Sequence, residues 1–146
     1  MTKQQDDNSA MKVSFKVEGK DFNAAGEASS RIKSILQQLG IQSAICRRAA
    51  IVAYEAEMNV VIHADRGVIT LEVHPDHIDL EVMDEGPGIP DLEAVMVEGF
   101  STAPDYIREM GFGAGMGLPN IKRSSDEFYI DSEVDRGVTL RVRINL

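Results

Sequence analysis

The 146 residues predict an α+β domain, a two-layer α/β sandwich in which helices cover one face of a mixed, mostly antiparallel sheet. Three observations lead there. Short runs that alternate apolar and polar residues recur near the start, middle and end of the chain. Two stretches with helical spacing follow the first of them. The remaining strand-like runs come in consecutive pairs with no helix inside a pair, which favours antiparallel pairing.

The elements follow in order β-α-α-β-β-loop-α-β-β. Residues 1–10 are polar and read as a disordered tail, which leaves 11–146 as a single domain. Met11 to Val17 alternates, with Val13, Phe15 and Val17 against Lys12, Ser14 and Lys16, as a half-buried strand does. Asn23 to Leu39 places Ile32, Ile35, Leu36 and Leu39 at helical spacing, and Gly40 is a natural stop. Ser43 to Ala64 predicts a longer helix, too apolar to be exposed on most faces, with Gly67 ending it. Val68 to Val73 and His77 to Met83 predict two strands around the turn His74-Pro75-Asp76. Asp91 to Glu98 predicts a short helix, and 99–116 a loop. A helix over about Leu118 to Ser125 precedes strands near Glu127–Ser132 and Val138–Leu146, separated by Asp135-Arg136-Gly137.

Composition narrows the function classes. With 43% hydrophobic and 27% charged residues the chain is ordinary for a globular protein, and its length can bury about 68–70% of the unfolded surface. The formal net charge of −9 argues against a nucleic-acid partner, which needs a basic footprint. No apolar run approaches the roughly 20 residues of a membrane span, and the polar start has no signal-peptide core, so no membrane association and a cytoplasmic location are expected. The single cysteine, Cys46, excludes an internal disulfide and a multi-cysteine metal site, and its helical apolar setting marks it as a small core residue.

Three segments carry the chemistry. Glu55 and Asn59 are four apart on the long helix and share a face, flanked on that face by Ile51 and His63. Asp84-Glu85-Gly86-Pro87-Gly88 follows a strand in which Ile78, Leu80 and Val82 face the core, so Asp84 emerges on the helix-covered side. A carboxylate there only accepts hydrogen bonds; adenine offers an exocyclic amine, whereas guanine offers a carbonyl that would repel it. Gly86 and Gly88 would let a flat base approach the backbone. Gly111-Phe112-Gly113-Ala114-Gly115-Met116-Gly117 runs into a helix start, where backbone N–H groups and the positive helix end suit a polyphosphate. Pro119 fits the first helical turn. The Asn59 amide oxygen could serve Mg²⁺, a hard cation that bridges phosphates, and Glu55 would then be near enough to activate a hydroxyl or water.

Each segment alone has a plainer meaning: solvated or capping side chains, a turn, a loop without ligand. His63 at a helix end is read as structural. His74 and His77 flank a turn without cysteine or histidine partners at metal spacing and are not read as ligands. Met58, Met83, Met96, Met110 and Met116 read as core or lid filler. The nucleotide reading rests on the three segments occurring together, in order, on the required elements.

On these residues the chain resembles a Bergerat-fold ATP-binding domain of the gyrase, Hsp90, histidine-kinase and MutL superfamily, over about 11–146. Tyr54-Glu55-Ala56-Glu57-Met58-Asn59-Val60-Val61-Ile62-His63 matches the N box, Asp84-Glu85-Gly86-Pro87-Gly88-Ile89-Pro90 the first glycine box, and Gly113-Ala114-Gly115-Met116-Gly117-Leu118-Pro119 the second. Within the superfamily the chain looks most like the bacterial anti-sigma factor and switch-protein serine kinases. Ile62 stands where histidine kinases usually have lysine, and no phosphoacceptor domain is expected ahead of residue 11. Gly-Leu-Pro-Asn-Ile-Lys-Arg and Asp126-Glu127-Phe128 look like the switch-kinase branch.

The resemblance implies Mg-ATP binding and phosphorylation of a serine or threonine on a small antagonist protein of the anti-anti-sigma type. It implies that Glu55 is the general base, Asn59 the Mg²⁺ ligand and Asp84 the adenine reader, with Gly86, Gly88, Ile89, Gly113, Ala114, Gly115, Met116, Gly117 and Leu118 around the nucleotide. Some members also bind a sigma factor, and small members often pair as homodimers. The alternative is a nucleotide-gated binder of a sigma factor or other regulator with little or no kinase activity. One departure stands out. The family usually has Gly-Thr at the start of the last strand, the Thr reaching adenine through water, whereas here the run is Gly137-Val138-Thr139. Parity turns Val138 inward and Thr139 outward, so Thr139 is not a substitute. Residues 91–116 are expected to form a lid, with Arg108 either reaching a phosphate on closure or simply solvated.

Overall fold

The computed structural model describes residues 11–89 and 117–146. Eight elements follow one another: β1 Met11–Glu18, α1 Glu27–Gln38, α2 Ser43–His63, β2 Arg66–Val73, β3 His77–Glu85, α3 Gly117–Arg123, β4 Glu127–Glu133 and β5 Gly137–Asn145. The expected tail 1–10, the helix over 91–98, the lid with Arg108, and Met96 and Met110 lie outside the described residues.

The strands form one sheet in the order β1-β2-β3-β5-β4. All four pairings are antiparallel, so the described sheet is not mixed as expected. The physical reason lies in the connections. β2–β3 and β4–β5 are hairpins, α1–α2 returns the chain antiparallel beside β1, and β4, which runs parallel to β3, does not pair with it because β5 lies between them.

The period-2 pattern decides the two faces. Phe15, Val17, Ile69, Leu71, Val73, Ile78, Leu80, Val82, Leu140, Val142 and Ile144 are buried under the helices. Each large apolar side chain buried this way contributes about 1.5–3 kcal/mol. The opposite face carries cross-strand polar pairs at directly opposed positions: Ser14 with Thr70 (3.0 Å), Glu81 with Arg141 (2.7 Å) and Asp79 with Arg143 (2.9 Å).

α2 lies against β1, β2, β3 and β5, with α1 and α3 packed on it. Its buried residues run from Cys46 and Ala49 through Val60, Val61 and Ile62, as its apolar composition requires. Arg48 ties its first half to the far end of the chain, donating to Ser124 O (3.1 Å) and pairing with Asp126 (3.2 Å).

Two boundaries differ from expectation. α1 starts at Glu27, not Asn23, because Gly26 at φ 98° takes the left-handed conformation ahead of it. α2 ends at His63, and Gly67 belongs to β2, paired with Asp84. A Cβ on Gly67 would lie 3.0 Å from Val60 Cγ2 and 3.2 Å from Asp84 Cβ. The glycine therefore lets α2 come down onto the sheet beside Asp84.

Candidate active site

α2 presents Glu55 and Asn59 one turn apart on a half-buried strip bordered by the exposed Ile51. Both are polar in the C-terminal half of the helix, where most neighbouring positions are buried. The first residue of α3 closes on them. A Cβ on Gly117 would sit 3.3 Å from Asn59 Oδ1 and 3.7 Å from Glu55 Oε2. Glycine at that position leaves a cradle beside an amide oxygen and a carboxylate, and a side chain would fill it.

Asn120, one turn further along α3, donates from Nδ2 to Glu55 Oε2 (3.1 Å). Its Oδ1 accepts from Arg123 Nη2. Arginine can only donate and a carboxylate can only accept, so these two partners fix which way the Asn120 amide points. Sequence reading did not single out Asn120, although it lies in the helix start that was matched to the family.

The neighbouring glutamate has a different role. Glu57 is 2% exposed and accepts three backbone hydrogen bonds at the start of α1, from Gly26 (3.0 Å), Ala28 (3.2 Å) and Ser29 (3.0 Å). Gly26 offers α1 no side-chain cap, and the Glu57 carboxylate supplies one from another helix.

Asp84 lies near the end of β3 on the helix side, as parity predicts, with Met83 exposed on the other face. Its Oδ1 accepts from Val138 N–H (2.9 Å). Burial raises its pKa above the ordinary carboxylate value, and the Val138 hydrogen bond opposes that rise. Gly137 makes this contact possible, since a Cβ there would sit 2.0 Å from Asp84 O. Thr139 pairs with Met83 and so faces outward, as expected.

The glycines after Asp84 let the chain pack closely on itself. A Cβ on Gly86 would lie 2.9 Å from Ala64 Cα, and one on Gly88, at φ 76°, would lie 2.5 Å from Glu133 O. Gly86 N–H donates to Arg136 O (2.9 Å), Asp135 N–H to Pro87 O (2.8 Å), and Ile89 N–H to Ser132 Oγ (2.6 Å). The segment is thus laced to the β4–β5 turn. Leu118 buries its side chain in the core, so only its backbone remains for a ligand. Gly113, Ala114, Gly115 and Met116 lie outside the described residues.

His63 closes α2. Burial depresses its pKa, and the Lys20 ammonium adds to the depression. Lys20 is bound to the Ile62 carbonyl, which places a cation at the negative end of the helix.

With this geometry in view, comparison with known proteins is informative. The histidine kinase-, DNA gyrase B- and HSP90-like ATPase family matches residues 29–146. The serine/threonine-protein kinase RsbT of Bacillus subtilis is 31% identical over 113 residues, 75% of this chain and 79% of its own length. The anti-sigma F factor of Geobacillus stearothermophilus is 33% identical over 98 residues, and that of Bacillus licheniformis 35% over 101. The matches cover 63% and 65% of this chain, and 64% and 66% of those relatives. The chain belongs to the histidine kinase-, DNA gyrase B- and HSP90-like ATPase family, and its likeness there is to anti-sigma factors and their related kinases.

Proposed function

We propose that residues 11–146 of this ATPase-family member form a single Mg-ATP-dependent serine/threonine kinase domain of the anti-sigma type. Its substrate is a small antagonist protein of the anti-anti-sigma class, and a sigma factor is a second partner. The observation that carries the reading is the approach of Gly117 to both Asn59 and Glu55. It joins the second glycine box to the two polar side chains that phosphoryl transfer requires. The names of RsbT and the anti-sigma F factors support the choice of reaction and partner class.

The roles follow from donor and acceptor chemistry. Asp84 keeps one carboxylate oxygen on Val138 N–H and offers the other to the exocyclic amine of adenine. The backbone of Gly113 to Leu118 receives the phosphates at the start of α3. Asn59 would hold Mg²⁺ through its amide oxygen, where the ion offsets phosphate charge. Glu55 takes the proton from the substrate hydroxyl as its oxygen bonds to the γ-phosphorus and the bond to the β–γ bridging oxygen breaks, leaving ADP. Asn120 holds the Glu55 carboxylate in place.

Incubation with γ-labelled ATP, Mg²⁺ and antagonist-domain proteins encoded beside its gene tests the proposal. Label on a partner serine or threonine is the expected result. A tight partner complex with ATP bound, and no phosphate on any partner over time, would instead identify a nucleotide-gated binder. Steady phosphate release without an acceptor would identify a plain ATPase.

A further inference from the structure

A second cluster of chemistry-bearing side chains lies at the opposite end of the sheet. Seven residues of strand at about 3.3 Å each place the β2–β3 turn about 23 Å from Asp84. There the rings of His74 and His77 stack, with centroids 4.3 Å apart and planes 17° from parallel. Asp79 comes up beside them from β3, and Glu72 from β2. His77 Nε2 is 3.4 Å and His74 Nε2 3.9 Å from Asp79 Oδ2, and His74 Nε2 is 3.1 Å from Glu72 Oε1. One ligand atom from each of His74, His77 and Asp79 lies within 4.8 Å of the others, the only such group among the described residues.

These separations have a chemical meaning. Around tetrahedral Zn²⁺ at bond lengths of about 2.0–2.1 Å, neighbouring ligand atoms stand about 3.3 Å apart. The cluster therefore approximates a ligand shell already. It also has the outer partner that zinc-bound imidazoles use. His77 Nδ1 lies 2.6 Å from Asp76 Oδ1, and in the tautomer that donates there Nε2 is left to bind a metal. Imidazole with carboxylate favours zinc over Mg²⁺, which prefers an all-oxygen shell.

The surrounding charges permit it. Arg143 donates to Asp79 Oδ1 (2.9 Å) and Oδ2 (3.2 Å), and Lys12 lies 3.9 Å from Glu72 Oε2. Asp79 can keep Arg143 on Oδ1 while Oδ2 turns to an ion. Three carboxylates, Glu72, Asp76 and Asp79, outnumber these two cations. A groove of about 490 Å³ on the outer sheet face, lined in part by Glu72, Asp79 and Arg143, opens beside the cluster and gives an ion a path in.

We propose that His74 Nε2, His77 Nε2 and Asp79 Oδ2 form a Zn²⁺ site that staples the β2–β3 hairpin, with its fourth position left to water. The absence of cysteine, or of a further histidine at metal spacing, hid it in the sequence.

The test is calorimetric titration of the tag-free, chelator-treated full chain with ZnCl₂, without nucleotide. Saturable binding of one ion per chain is expected, lost in His74→Ala and in His77→Ala and kept in His63→Ala, which removes the third histidine. Asp76→Asn is the decisive variant, because Asp76 is exposed and its replacement leaves the fold intact. It should weaken zinc binding by about 10–100-fold. Co²⁺ in place of zinc should give the visible bands of tetrahedral coordination. Failure to bind one ion per chain, or binding that survives both His77→Ala and Asp76→Asn, would overturn the proposal. Neither outcome depends on kinase activity.

Discussion

Glu55 and Glu57 sit two residues apart on α2 and do opposite things. Glu55 is half-buried and bonded to Asn120 of α3; Glu57 is buried and accepts from three backbone amides at the start of α1. Replacing Glu57 by Gln puts an amide N–H against backbone donors, and hydrogen bonds to a charged group are worth about 1.5–3 kcal/mol each. Glu57→Gln should therefore lower unfolding free energy by about 2–4 kcal/mol in a urea titration, while Glu55→Gln leaves it within about 0.5 kcal/mol. Asn120 acts through Glu55. With its hydrogen bond gone, Asn120→Ala should lower the transfer rate about 10–100-fold with ATP affinity little changed, read from single-turnover kinetics beside a binding titration. That Glu55 and Asn59 share a helix face was legible from their spacing. Glu57 and Asn120 were not, because the amides Glu57 caps lie 28–31 residues away and the Asn120–Glu55 pair spans 65, beyond any local pattern.

At the scale of elements, α2 is the part on which the rest is registered. Its C-terminal end is held by Lys20 on the Ile62 carbonyl and by Ala64 packed on Gly86. His63 lies in this junction with a lowered pKa, so the unfolded chain takes up a proton on it before the folded one does. Its contribution to stability is fully present above the unfolded value near 6.5 and declines as pH falls below that, by at most about 1.4 kcal/mol per pH unit. Unfolding titrations from pH 7.5 down to 5.5 should show this decline, and His63→Asn should flatten it. An unchanged slope in the variant would mean that other groups set the acid sensitivity. The elements themselves were mostly readable, since strand parity and helical spacing are local. Gly67 was misread because a glycine after a helix commonly stops one, and only pairing with Asp84 shows that it belongs to the strand. Gly86, Gly88 and Gly137 were visible as glycines, but the chain segments each accommodates were not, because those come from other elements.

For the whole molecule, the sheet separates two functions. Its helix-covered face carries Asp84 and lies under α2, which presents Glu55 and Asn59 to Gly117, and its open face carries charged pairs and the proposed zinc site. The α+β class and the single covered face were legible because alternation shows which side of a strand is buried. Uniform antiparallel pairing was not, since it depends on how long connections return. The proposed kinase depends on Glu55 acting as its base. The most direct measurement compares wild type and Glu55→Gln in single-turnover transfer of γ-labelled phosphate to a partner protein, with ATP affinity measured on the same samples. Unchanged affinity and transfer lower by about 10²-fold or more are expected in the variant. Transfer at the wild-type rate by Glu55→Gln would contradict the base assignment.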